Sequence, residues 1–210
     1  MYHSRGQLPF GFTTEVAADE FVDDLKKQEL MYSILDIDLD YFNQMTDAAQ
    51  RLEQLLDWAA CPVSIVVERH NHAFARWRKS WQAHGIEPSH ILHVDEHHDM
   101  MDQRQQANIA NFMFHAMRMW PRCRVHWLVQ HPIDSPAMWL EDETWDSLRR
   151  RFSHGPHRPA RWPKPDILSV CTSPDFVAPN LAAELMDVLS GFMANHNEGR
   201  IPNKGLHAPK

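Results

Sequence analysis

"YSILDIDLD", residues 32–40, places Leu35, Ile37 and Leu39 on one parity and Asp36, Asp38 and Asp40 on the other. In an extended strand alternate side chains point to opposite faces, so the apolar set lines one face and the carboxylates the other. The apolar face belongs in a core. The carboxylate face loses hydration and repels itself unless a cation or strong donors meet it. This one stretch therefore predicts both a sheet and a site at its edge.

Further short runs of strand character are "VSIVV" (63–67), "SHILHVD" (89–95), "RVHWLV" (124–129) and "DILSVC" (166–171). Between them the apolar spacing becomes helical. Ala48, Leu52, Leu55, Leu56 and Ala59 share a face, as do Leu181, Leu185, Val188, Leu189 and Phe192. Phe74, Trp77 and Trp81 predict a helix ending at Gly85, and Ser135 with Pro136 predicts a helix start before Leu140, Trp145 and Leu148. Alternating strands and helices predict an α/β fold, a three-layer α/β/α sandwich with a mostly parallel central sheet.

A chain of 210 residues fits a single domain, 1–210. The basic, Pro-rich segment "RRRFSHGPHRPARWPKP" (149–165) reads as a surface loop or lid, and the chain from about residue 196 as a flexible tail. The net charge of −7 argues against nucleic acid or anionic membrane as a partner. With no long apolar segment, the expected compartment is the cytoplasm. Three widely spaced cysteines, Cys61, Cys123 and Cys171, predict buried thiols rather than a disulfide framework. The aromatic content permits a homo-oligomer without specifying one.

In an open parallel sheet, ligands sit beyond the carboxyl ends of the strands. Three clusters fall there. The first is "DIDLDYF"; the second is "VVERHNHAF", with Glu68, His70 and His72; the third is "HVDEHHDM", residues 93–100, with Asp95, His97 and Asp99 as D-x-H-x-D. A divalent ion neutralises carboxylates and takes neutral imidazoles as donors. Oxygen and nitrogen donors without sulfur suit Mn²⁺ or a similar hard ion, and their number suits two ions sharing carboxylate bridges.

These motifs resemble the binuclear manganese site of the arginase and agmatinase superfamily. Their order is most similar to the small arginase-like branch that includes the peptide arginases of ribosomal peptide maturation. The resemblance covers roughly residues 30–180 and implies a reduced arginase-like fold holding two Mn²⁺. It implies Asp95, His97 and Asp99 as D-x-H-x-D ligands, Asp38 and Asp40 as the D-x-D pair, and His70 as the separate histidine; by strand parity Asp36 can replace either D-x-D member. The D-x-D strand precedes the D-x-H-x-D strand here, the reverse of free-arginine arginases, and "VERHN" stands where those enzymes carry "GGDHS".

The implied reaction is attack of metal-activated water on the guanidinium carbon of an arginine in a precursor peptide, leaving ornithine and urea. Asp99 would orient that water and shuttle its proton. Asp175 in "CTSPDFVAP" is the expected guanidinium acceptor, or else a turn or cap residue, with Glu68 in reserve. Asn111 would hold substrate, or else sit on a helix surface. The proton donor to the leaving amine is one of His72, His98, His115 or His131. Rival readings are another binuclear amidohydrolase or deacetylase, a D-x-D nucleotide-sugar transferase, and a non-enzymatic metal-binding module.

Overall fold

The computed structural model describes residues 31–198, with side chains to residue 194. The first thirty residues and the tail beyond 198 lie outside them, so the expected extent of the domain at both ends does too.

Six strands form one parallel sheet: β1 (Tyr32–Asp38), β2 (Val63–Val67), β3 (Pro88–Val94), β4 (Arg124–Leu128), β5 (Phe152–Gly155) and β6 (Ile167–Cys171). Their order is β2-β6-β1-β3-β4-β5. From β1 the chain goes to one edge of the sheet, and from β3 it proceeds strand by strand to the other. The reversal opens a crevice at the carboxyl ends of β1 and β3, where ligands of open α/β sheets bind.

The helices are α1 (Ala48–Ala59), α2 (His70–His84), α3 (Phe112–Met119), α4 (Asp142–Leu148) and α5 (Pro179–Glu198). On one face Leu35, Ile37, Leu92, Val94, Leu168 and Val170 meet Leu52 and Leu56 of α1 and Leu185 and Leu189 of α5. On the other, Ile34, Ile91, Val125 and Trp127 meet Phe74 and Trp77 of α2 and Phe112, Met113 and Met117 of α3. Helices cover both faces, as the alternating pattern requires. Gly85 ends α2 at φ +67°, its N–H bonded to the Trp81 carbonyl at 2.7 Å, a left-handed position that a residue without Cβ adopts at no steric cost.

Two expectations are corrected here. The segment 149–165 is not a loop throughout: Arg149–Arg151 form a 3₁₀ turn and Phe152–Gly155 are the edge strand β5, paired with β4, while 156–165 carries no helix or strand. Only Phe152 of that strand is buried, so no apolar alternation marks it. Arg151 donates to the carbonyls of Met117, Trp120 and Cys123, closing the carboxyl end of α3. Further along, Arg158 stacks 4.2 Å above the Trp58 ring of α1 and Lys164 bonds to the Trp58 carbonyl, so the segment is pinned to α1. The second correction concerns Ser135, which caps a 3₁₀ turn at Pro136–Met138, whereas α4 begins at Asp142.

The helix α5 continues to Glu198, past the expected start of the tail. Cys123 and Cys171 are buried free thiols, and Cys61 is half-buried. Among the described residues, no helix is long and apolar enough to cross a membrane.

Candidate metal centre

β1 ends at Asp38 and turns into a 3₁₀ turn, Leu39–Phe42, in which Leu39 stays in the core. Asp38 caps that turn through Oδ1, which accepts the Asp40 N–H at 2.9 Å. The carboxylates of Asp36, Asp38 and Asp40 thus stay on the side of the sheet that α2 covers.

His70 is the first residue of α2, and its ring drops onto the strand ends. Its Nδ1 lies 3.0 Å from Asp95 Oδ2, 3.2 Å from Asp38 Oδ2 and 3.4 Å from Asp99 Oδ2. The ring is 4.9 Å from that of Phe112, which closes the site from the α3 side.

After β3, Asp95 Oδ1 accepts the His97 N–H at 2.7 Å, folding the chain back so that His97 Nδ1 stands 3.4 Å from Asp40 Oδ2. Asp99 has φ +51°, a left-handed conformation that Asp tolerates better than most residues. That turn aims its carbonyl at the Met113 and Phe114 N–H groups, at 3.2 and 3.4 Å, while the carboxylate points back to His70. One strained residue therefore docks the start of α3 and completes the cluster.

The six expected metal-site residues, Asp38, Asp40, His70, Asp95, His97 and Asp99, converge at the floor of a cleft of about 310 Å³. Donor atoms in the sets Asp40–Asp95–His97, His70–Asp95–Asp99, Asp36–His70–His93 and Asp38–His70–Cys171 each lie within 4.8 Å of one another. This chemistry fits a divalent cation: carboxylate oxygens dominate and imidazoles supplement them, with His70 Nδ1 set among the Asp38, Asp95 and Asp99 oxygens. These buried groups could hold a metal ion.

The electrostatics without a cation show what the cluster lacks. Burial, reinforced by the Asp95 charge, pushes Asp99 up to about 7. It raises Asp38 and Asp40 as well. Burial acts to lower His70 and His93, but the surrounding carboxylates outweigh it and hold both above the ordinary histidine value. Hydrogen bonding to Asp40 and Asp95 takes His97 up to about 11. Burial would raise Asp95, yet the three imidazoles around it hold it well below the carboxylate range. Bound protons thus stand in for the positive charge that a metal would bring.

Glu68 and Asp175 line the cleft at its rim. Asp175 lies 3.8 Å from Arg69, and with the two side chains 71% and 62% exposed this pair is screened and easily exchanged. Asn111 does not line the cleft. Its buried amide accepts the Asn108 N–H and donates to Asp102 Oδ1 and the Gln106 carbonyl, tying down the loop before α3. None of His72, His98, His115 and His131 lines the cleft either. His98 is buried against Asp134 at 3.3 Å, and burial pushes it down to about 4.

Four contributors stand outside the six converging residues, and of these the sequence named only Asp36, as an alternative to Asp38 or Asp40. Asp36 and His93 lie behind those six, 3.1 Å apart. From the β6 side, the Ser169 and Ser173 hydroxyls donate to Asp36 and Asp38 at 2.8 and 2.6 Å. His93 shares strand parity with Asp95, the one signal that could have exposed it; isolated serines carry none. No family model, curated protein or solved structure matches this chain.

Proposed function

We propose that the protein is a binuclear manganese hydrolase that converts arginine side chains of a peptide to ornithine, releasing urea. The observation that carries this reading is the convergence of Asp38, Asp40, Asp95, Asp99, His70 and His97 on the floor of an open, acid-rimmed cleft. A structural metal site would be closed; this one leaves room for a substrate beside the donors.

The site would hold two divalent ions, whose chemistry would be to lower the pKa of water and supply a hydroxide nucleophile near neutral pH. The residues do the rest. Asp38, Asp40, His70, Asp95, His97 and Asp99 would hold the ions, and Asp99 would also orient the water and accept its proton. The guanidinium offers a planar fork of donors and no acceptor, which matches Glu68 and Asp175 at the rim. Water adds its oxygen to the guanidinium carbon, the bond from that carbon to the side-chain nitrogen breaks, and the proton passes to the departing amine. The products are an ornithine ammonium and urea.

A peptide substrate suits the cleft: among its lining residues the sole Lys or Arg is Arg69, at the exposed rim beside Asp175, and an arginine within a peptide presents no free α-carboxylate for a cation to hold.

Mass spectrometry after incubation with Mn²⁺ tests the reading on an arginine-containing peptide, free arginine and an acetyl-lysine peptide in parallel. The expected result is loss of the mass of carbodiimide from the arginine peptide alone, abolished by Asp99→Asn in a protein that still folds. Deacetylation with no change at arginine would replace the guanidinium assignment.

A further inference from the structure

Behind the cleft floor lies a layer of polar groups that the proposed reaction does not use. Asp36 and His93 are both 0% exposed, and neither lines the cleft. Every polar contact of Asp36 is with another buried group. Asp36 Oδ1 accepts the Ser169 hydroxyl at 2.8 Å; its Oδ2 lies 3.1 Å from His93 Nδ1 and 3.4 Å from His70 Nε2.

His93 faces acceptors on both sides, since its Nε2 is 3.1 Å from the His97 carbonyl oxygen. Both ring nitrogens are thus engaged with oxygen atoms of the protein. His70 is different. Its Nδ1 points into the carboxylates of the cleft floor, whereas its Nε2 is buried, 3.4 Å from Asp36 Oδ2. A proton on Nε2 leaves the Nδ1 lone pair free for a metal, the arrangement by which a carboxylate behind a ligating histidine fixes its tautomer and ring orientation.

We infer that Asp36 and His93 are positioning residues of the proposed metal centre. Asp36 selects the His70 tautomer that presents Nδ1 to the metal. His93 anchors Asp36 from one side and the His97 backbone from the other, linking the β1 and β3 halves of the ligand set. Ser169 holds the second oxygen of Asp36, so that β6 takes part without supplying a ligand. This inference rests on the metal reading and not on the identity of the substrate.

The test is calorimetric titration with Mn²⁺ of the metal-stripped full chain, comparing wild type, Asp36→Asn and Ser169→Ala, with thermal unfolding of each variant with and without Mn²⁺. Loss of an outer carboxylate partner typically weakens metal binding roughly 10- to 100-fold. Asp36→Asn is expected to show that loss with the number of bound ions unchanged, and Ser169→Ala a smaller loss in the same direction. A residue that only supports the fold would lower the unfolding midpoint equally with and without Mn²⁺ and leave affinity untouched. Unchanged affinity in both variants overturns the inference, as does disappearance of one bound ion in Asp36→Asn, which would make Asp36 a ligand. Failure of wild type to bind Mn²⁺ at all is a separate result, and it removes the metal centre itself.

Discussion

From Leu35 to Asp40, at the carboxyl end of β1 and into the turn after it, the two faces are equally buried and chemically opposite. Leu35, Ile37 and Leu39 are 0% exposed on one side; Asp36, Asp38 and Asp40 are 0%, 4% and 4% exposed on the other. Loss of water therefore does not distinguish them, but its cost does. Each apolar side chain is stabilised by burial, by about 1.5–3 kcal/mol. Each carboxylate is destabilised by burial unless a partner compensates, and here the partners are other members of the same cluster. The apolar half holds the sheet to α1 and α5, and that stability lets the other half keep a site that is poorly compensated until a cation arrives.

Moving a carboxylate to the apolar face breaks the contrast most severely. Ile37→Asp places an unpaired charge among leucines and is expected to cost on the order of 4 kcal/mol or more in a denaturant titration. A near wild-type midpoint would mean that the two faces are not so different. A smaller effect comes from filling the carboxylate face: Mn²⁺ at roughly 100 times its dissociation constant is expected to add about 2.7 kcal/mol per site, reversed by chelator. No thermal shift would remove the cation from the account.

The pH dependence sharpens the comparison further, because the apolar face does not titrate. In metal-free protein Asp99 sits at about 7, above the ordinary carboxylate value, so its contribution is present at low pH and lost as pH rises through 7. His97, at about 11, contributes fully below the ordinary histidine value and loses that contribution as pH rises from there toward 11. Asp95, depressed by its imidazole partners, acts oppositely but only in acid, where its contribution is lost as pH falls through its folded value. The metal-free unfolding midpoint should fall between pH 5 and 9, and the increment from Mn²⁺ should grow over that window as ligands shed protons. A flat profile would contradict the bound protons. Least sensitive is the rim, where Arg69→Gln breaks an exposed pair and should leave stability within about 0.5 kcal/mol.

The parallel sheet was legible because it rests on short-range alternation: Ile37 and Asp38 are neighbours whose opposite faces follow from strand geometry. Asp95, His97 and Asp99 were legible by residue type and by their place at a strand end, whereas their convergence comes from the turns after β3, through the Asp95 Oδ1 to His97 N–H bond and the left-handed Asp99. β5 was hidden because Phe152 is its sole buried residue and backbone pairing with β4, rather than side-chain pattern, makes it a strand. Asn111 was misread because its amide is consumed by Asp102, a contact nine residues away that no periodicity encodes. Ser169 and Ser173 meet their carboxylates across more than 130 residues of chain, so only the folded sheet brings them together.

The central claim is that the buried carboxylate face is a two-metal centre, and anomalous diffraction from Mn²⁺-soaked crystals tests it most directly. The account predicts two peaks about 3.5–4 Å apart, enclosed by Asp38, Asp40, His70, Asp95, His97 and Asp99. An absence of peaks there, or a single peak confined to the exposed rim at Asp175, would contradict it.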